Sequence, residues 1–208
     1  MLWLRHEEYP ELQGLTINNA FEMDGHIYLT SGGIHKDWMF YSLNSANLTI
    51  KEVPVFYSGD LVPVAENPVI AYKQHAFTRV AARVIKGTLE ADGFHWTIAE
   101  TTGPGPRDYE SASCSIVDGD TVRYATVTCD YWRDNYEEEI WYLCELDLAT
   151  MEWTRRMIIM DEEVFACFRR CFTDIDVYAS GGRLHLLCTG SLIGYGCHFI
   201  LDLSTMIC

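Results

Sequence analysis

An eight-residue segment near the middle of the chain recurs almost unchanged at its end. Leu146-Asp-Leu-Ala-Thr-Met-Glu-Trp153 reappears 55 residues later as Leu201-Asp-Leu-Ser-Thr-Met-Ile-Cys208, and five of the eight positions are identical. A weaker copy lies at 41–48, where the bulky residues at both ends keep the same spacing. Repetition of this kind indicates that one structural unit is built several times along the chain.

Short apolar runs between turn-forming residues predict that each unit is made of β-strands. Only residues 161–167 have a short helical pattern, and a composition with 49% hydrophobic residues is that of a globular chain. Many short strands at even spacing are typical of a sandwich, a barrel or a propeller, and the internal repeat favours the propeller. The predicted strands cover residues 15–21, 26–31, 38–43, 49–53, 69–72, 75–80, 83–89, 95–99, 111–117, 122–129, 139–146, 153–158, 175–179, 183–188 and 198–203.

Several motifs in these units resemble a known family. Gly-containing turns connect apolar strands at 23–28, 117–122 and 180–185, as a hairpin requires. The order of motifs in residues 104–156 resembles one full kelch repeat: Pro104-Gly-Pro-Arg107, Ser111-Ala-Ser113, Val117-Asp-Gly119, Ile140-Trp-Tyr-Leu143 and Leu146-Asp-Leu148 through Trp153. Residues 15–53 are similar, with Gly32-Gly33 after the second strand and an aromatic at Tyr41.

The resemblance to kelch-repeat β-propellers implies an all-β fold of about four blades. The blades are expected at 15–53, 69–100, 104–158 and 175–208, in a single domain over 1–208. The last copy ends on Cys208, where the repeat has Trp, whereas Trp3-Leu-Arg-His6 aligns with Trp153-Thr-Arg-Arg156. One interpretation is a closed ring in which residues 2–8 complete the last blade. The alternative is that the chain is a fragment of a larger propeller.

Charge and composition exclude several classes of partner. Thirty acidic and fifteen basic residues give a net charge of −15 and a pI near 4.7. Such a chain repels a phosphate backbone and an anionic bilayer, so neither nucleic acid nor membrane is expected as a partner. The N-terminal residues lack the sustained apolar run of a signal peptide, which predicts a cytoplasmic protein. None of the eight cysteines forms a C-x-x-C pair, and reduced, packed thiols are expected.

Sequence motifs of catalysis are not found in the chain, so no catalytic residue, cofactor or metal is predicted. His26, His75 and His185 fall at similar places in three blades, and one interpretation of this pattern is a shared metal site. Structural equivalence of the three positions is the simpler explanation.

A long loop at residues 129–139 is the predicted binding site. It contains Tyr131, Trp132, Arg133, Asp134 and Tyr136, followed by three glutamates. Exposed Tyr, Trp and Arg often anchor protein interfaces, and the acidic run would suit a basic peptide. The alternative is a solvated loop in which Trp132 folds back on a neighbouring blade.

These observations predict a non-enzymatic protein–protein interaction module. The kelch resemblance implies a scaffold or a substrate-recognition propeller, with a protein as its partner and an oligomeric state that the sequence leaves open. The alternative is a propeller enzyme that acts on a small molecule at the central pocket.

Overall fold

The computed structural model describes residues 16–32, 38–44, 46–47, 49–58, 68–80, 82–106, 112–130, 140–171, 174–189 and 196–208. Within these residues the chain forms sixteen β-strands and one α-helix. The strands belong to four sheets, numbered I to IV in chain order. The chain divides into two compact units: unit 1 is Met1–Ala99 and holds sheets I and II, and unit 2 is Glu100–Cys208 and holds sheets III and IV.

Both sheets of unit 1 are built around four-stranded antiparallel meanders. Sheet I has the order β1-β2-β3-β4 and consists of β1 (Ile17–Met23), β2 (His26–Ser31), β3 (Met39–Leu43) and β4 (Ile50–Val53). Sheet II has the order β5-β9-β8-β7-β6 and consists of β5 (Val55–Tyr57), β6 (Ile70–Tyr72), β7 (His75–Val80), β8 (Arg83–Glu90) and β9 (Gly93–Ile98). Strand β5 runs parallel to β9 and adds a fifth strand to that sheet.

Aromatic side chains fill the core of unit 1. Phe94 and Trp96 lie two residues apart on β9, so both point to the same face of the sheet. The Trp96 ring lies 5.7 Å from that of Phe40 and 5.1 Å from that of Trp38, and Phe94 contacts Phe21 at 6.3 Å. Rings of this size bury large apolar areas, so this cluster supplies much of the unit's stability.

Unit 2 contains a complete meander, a three-stranded sheet and the helix. Sheet III has the order β10-β11-β12-β13 and consists of β10 (Ala112–Asp118), β11 (Thr121–Asp130), β12 (Ile140–Asp147) and β13 (Glu152–Met157). Sheet IV has the order β14-β15-β16 and consists of β14 (Asp174–Ser180), β15 (Arg183–Thr189) and β16 (Gly196–Asp202). The edge strands β10 and β14 pack side by side, which brings together the first strands of the two sheets.

Helix α1 (Glu162–Cys171) lies between sheets III and IV in sequence and packs on both. Asp161 caps the helix, because its Oδ1 accepts the Val164 N–H at 2.7 Å. Phe168 is fully buried, and its ring meets those of Trp141 at 4.9 Å and Phe199 at 5.0 Å, both edge to face. The prediction placed a helix at 161–167, and the helix in the structure ends at Cys171. Its second half is stabilised by the packing of Phe168 against Trp141 and Phe199.

The repeated octapeptide forms the same turn in both places. In each copy the aspartate Oδ1 accepts two backbone N–H groups, at 2.7 and 3.1 Å for Asp147 and at 2.9 and 3.1 Å for Asp202. Met151 and Met206 follow with positive φ angles of 59° and 60°, and each donates its N–H to the aspartate carbonyl at 2.8 Å. The sequence repeat is thus a structural repeat at the level of the backbone.

The chain enters three sheets in the same way. Strand β5 precedes sheet II and pairs in parallel with β9, the last strand of that meander. Parallel bridges join Thr102 to Glu152 at the start of β13, and Ile159 to Ile207 after the end of β16. The segments before sheets III and IV therefore also run parallel to the C-terminal part of the sheet that follows them. The sheets are therefore successive copies of one unit, as the repeat predicts.

A buried ion-pair network links sheet III to the last turn of sheet IV. Glu145 is 2% exposed and accepts hydrogen bonds from Arg123 Nη1 at 2.8 Å and Arg156 Nη2 at 2.6 Å. Arg156 also donates Nη1 to the Leu203 carbonyl at 2.6 Å. The negative charge of the buried Glu145 is therefore balanced by two arginines that also hydrogen-bond to it, as a buried charge requires.

Two of the expectations fall outside what the structure describes. Trp3 and the rest of residues 1–15 are not among the described residues, so completion of the last blade by residues 2–8 stays a prediction. The single domain over 1–208 likewise stays a prediction. Within the described residues, no helix has the length and apolar character needed to cross a bilayer.

Candidate functional site

The five predicted binding residues lie outside the described residues. Tyr131, Trp132, Arg133, Asp134 and Tyr136 all fall in 131–139, between β11 and β12. Their role in binding a protein or a basic peptide stays a prediction.

Each of the three histidines grouped by their place in the repeat lies on the second strand of its meander. His26 and His75 begin β2 and β7, and His185 is the third residue of β15. His75 Nδ1 lies 3.2 Å from the Thr88 hydroxyl, and burial lowers the pKa of His75 below 6.5, with a further contribution from the positive charge of Lys86. His75 therefore has a partner on its own sheet, and burial favours its neutral form.

His185 belongs to a cluster that the sequence did not predict. Its ring stacks on Tyr178 with centroids 4.6 Å apart and an interplanar angle of 4°. Its Nδ1 lies 3.0 Å from Nε2 of His198 on β16, and the two imidazoles stack at 5.2 Å. Three side chains from three successive strands thus form one continuous row.

Alternation along the strands explains why this row lies on the surface. On β14, Val177 packs against the core while Asp176 and Tyr178 point to the opposite side and are exposed. We call this side the outer face of sheet IV, and its exposed or half-exposed members are Asp176, Tyr178, His185, Leu187, His198 and Ile200. Strand register places Tyr178 directly opposite His185 and Asp176 directly opposite Leu187.

The outer face combines groups that can move protons with groups that can bind an apolar surface. A hydrogen bond between two imidazoles requires that one ring nitrogen donates and the other accepts, so one N–H proton lies between the two rings. Tyr178 is 45% exposed and presents an apolar ring with a polar hydroxyl. Asp176 adds a carboxylate on the same face. No sequence motif marks the set, because its members come from three strands.

A second polar cluster lies at the β8–β9 hairpin of unit 1. His95 Nε2 is 2.8 Å from Asp92 Oδ1 and 4.0 Å from Glu90 Oε2, and the His95 ring stacks on Phe56 at 4.7 Å. The hydrogen bond from His95 lowers the pKa of Asp92 below its usual value. Imidazole and carboxylate are donor types that bind zinc, and the three ligand atoms lie within 4.8 Å of one another. Both carboxylates are exposed at a turn, where acidic groups are common without a metal.

Comparisons of sequence find no relatives of this chain. No family model matches it, and none of the curated proteins matches it. The resemblance to kelch repeats therefore stays a prediction.

Comparison with solved structures finds enzymes. The chain is similar to the crystal structure of a GH43_1 enzyme from Xanthomonas citri complexed with xylose, with a TM-score of 0.52 and 13% identity over 90% of this chain and 70% of that one. The xylotriose complex of that enzyme gives a TM-score of 0.51 and 13% identity over the same shares. A further crystal structure of the GH43_1 enzyme from Xanthomonas citri gives a TM-score of 0.51 and 12% identity.

These similarities define the class of fold to which the chain belongs. It is an all-β protein with four blades arranged as a β-propeller, as the internal repeat predicted. At 12–13% identity the likeness to the GH43_1 enzyme extends to the fold alone.

The prediction of a non-enzymatic interaction module, whether scaffold or substrate-recognition propeller, is wrong. The GH43_1 structures that share this fold over nine-tenths of the chain are those of an enzyme, and this finding contradicts the prediction. The prediction failed because it required a continuous catalytic motif. Propeller sites are assembled from residues far apart in sequence, and a fold of this kind hosts both binding and catalysis.

Proposed function

We propose that this chain is a propeller enzyme that cleaves glycosidic bonds in a small carbohydrate. The observation that carries the proposal is the similarity to GH43_1 enzyme structures complexed with xylose and xylotriose, which extends over 90% of this chain. The shared fold and the polar side chains on the outer face of sheet IV together support a sugar as substrate.

Net charge is compatible with such a substrate. A charge of −15 repels anionic ligands such as nucleotides and phosphorylated metabolites. Neutral sugars experience no such repulsion, and they are bound by hydrogen bonds and by contact with aromatic rings. Tyr178 offers such a ring on the outer face of sheet IV.

The position of Asp176 favours it as the reactive carboxylate. It lies on β14, the edge strand of sheet IV that packs beside the edge strand β10. Its side chain is exposed on the outer face of sheet IV, on the same side as Tyr178 and the two histidines, where a substrate can reach it.

Glycoside hydrolysis needs a proton donor to the leaving oxygen and a second group that stabilises or attacks the anomeric carbon. We assign the second role to Asp176. The proton donor is the His185–His198 pair in its protonated form, in which the imidazolium ring gives a proton to the leaving oxygen and the pair returns to its neutral form. Tyr178 stacks on His185 and thereby fixes the orientation of that ring.

The test measures hydrolysis of a panel of aryl glycosides and xylo-oligosaccharides. Turnover is detected as release of the aryl group or of reducing sugar. Asp176→Asn is expected to lower kcat by about 10²–10⁴-fold, because it removes a charged group that acts on the reacting atoms. Asp120→Asn is the matched control, since Asp120 is an exposed aspartate in the β10–β11 turn. Absence of turnover by the wild type on every glycoside would refute the proposal, and equal loss in both variants would remove Asp176 from the site.

A further inference from the structure

Two cysteine thiols from different elements touch in unit 2. Cys167 lies on α1 and Cys197 on β16, and their Sγ atoms are 3.5 Å apart. Both side chains are half-buried and belong to the rim of the core of unit 2. Thirty residues separate them in sequence, so the contact exists only because the fold creates it.

Packing on each side of the thiols holds them in place. Phe168 follows Cys167 directly and is fully buried, and its ring meets that of Phe199, two residues beyond Cys197, at 5.0 Å. The buried ring of Trp141 lies on the other side of Phe168 at 4.9 Å. The contact of the two phenylalanines therefore fixes α1 against β16 at the level of the two sulfur atoms.

Four other cysteines with described side chains are buried or have a raised thiol pKa. Cys114, Cys144 and Cys188 are buried, and burial raises the pKa of the Cys114 thiol to about 12. Burial also raises the pKa of Cys208 to about 11. Because the thiolate is the reactive form, Cys114 and Cys208 remain protonated thiols at neutral pH. Among the cysteines with described side chains, the contacting pair combines partial exposure with a neighbouring thiol.

We propose that Cys167 and Cys197 form a reversible intramolecular disulfide, with a low-molecular-weight disulfide as oxidant. One protein thiolate attacks a sulfur of the oxidant, forms a mixed disulfide and releases one thiolate. The second protein thiolate then attacks the protein sulfur of the mixed disulfide and releases the other. Two electrons pass from the protein sulfurs to the oxidant, and the two protons lost by the protein thiols protonate the two released thiolates.

The required movement is small. A disulfide has an S–S distance of about 2.05 Å, so the two sulfur atoms must approach each other by about 1.5 Å from their present contact. Rotation about the side-chain bonds of two half-buried cysteines can supply this movement. The link would tie α1 to β16 and close a loop of 30 residues in the unfolded chain.

The experiment uses the folded full-length chain in glutathione buffers of defined reduction potential. Remaining thiols are then blocked by alkylation, and the digested chain is analysed by mass spectrometry. We expect one cross-linked peptide pair that contains Cys167 and Cys197 and is lighter than the two reduced peptides by two hydrogen atoms. Its formation should raise the melting temperature by about 5–15 °C, and dithiothreitol should reverse the shift.

Cys197→Ser should abolish the cross-link and leave Cys167 as a mixed disulfide with glutathione. Cys208→Ser is the matched control, because Cys208 is a half-buried thiol at the rim of the same core, and this variant should keep the cross-link. If the wild-type chain remains folded in oxidised glutathione and both thiols are still alkylated, the proposal is wrong. A cross-link of Cys167 to any other cysteine would also overturn it. None of these results depends on enzymatic activity, so they are independent of the proposed function.

Discussion

Replacement of the buried Glu145 is the perturbation whose effect the structure defines best. The Glu145 carboxylate is 2% exposed, and its two oxygens accept from Arg123 and Arg156 at 2.6–3.1 Å. Glu145→Gln keeps the shape of the side chain but removes its charge. The new amide group is a donor, so it faces a guanidinium that is also a donor, and at least one arginine loses its acceptor.

The expected cost depends on how far each of the three groups is buried. Breaking a fully buried ion pair costs about 3–5 kcal/mol. The side chains of Arg123 and Arg156 are 26% and 35% exposed, so water can hydrate part of each guanidinium after the substitution. We therefore expect a loss of about 2–4 kcal/mol in the free energy of unfolding. For a chain of 208 residues this corresponds to a fall of about 5–15 °C in melting temperature.

The assay is thermal and urea-induced unfolding followed by circular dichroism. Glu152→Gln is the control, because Glu152 lies exposed on the neighbouring strand β13, and it should change the free energy of unfolding by less than about 0.5 kcal/mol. If Glu145→Gln melts within about 1 °C of the wild type, the network contributes nothing and the reasoning is refuted.

Three further substitutions or deletions test separate parts of the structure. Gly87→Ala should cost about 1–3 kcal/mol, because a Cβ at that position would lie 2.8 Å from the buried Trp96 ring; an unchanged urea midpoint would contradict this packing. Hydrogen bonds from Ser204 and from the Thr205 backbone lower the pKa of Asp202 from 3.8 to about 2. The stabilisation by this carboxylate is therefore present above pH 4 and is lost as the pH falls through about 2, so the wild type should melt above Asp202→Asn at pH 5 and the difference should vanish near pH 2. Deletion of residues 1–8 should lower the melting temperature strongly if they complete the last blade, since burial of one Trp contributes up to about 4–6 kcal/mol; an unchanged melting curve would exclude that role.

Local patterns predicted the strands well because each strand has its own signal. The bounds of β2 and β7 agree with the prediction residue for residue, and all fifteen predicted strands are present. Strand β5 was missed because it has only three residues, follows a proline and pairs with β9 almost forty residues away. Pairing at that distance leaves no trace in the local pattern.

The same limit explains what was missed at the candidate site. His185 was grouped with His26 and His75 by its place in the repeat, whereas its actual partner is His198 on the next strand. That contact depends on the register of β15 and β16, which the hydrophobic alternation of either strand alone does not fix. The cysteine pair is a similar case, because α1 and β16 meet only through the core of unit 2.

The enzyme proposal is tested most directly by locating the bound sugar. Titration of the isotope-labelled protein with xylotriose, followed by NMR, reports which backbone amides and histidine ring protons change. We expect saturable shifts at Asp176, Tyr178, His185 and His198, with weaker binding in Asp176→Asn and unchanged binding in Asp120→Asn. Shifts confined to Glu90, Asp92 and His95, or no shifts at millimolar sugar, would contradict it.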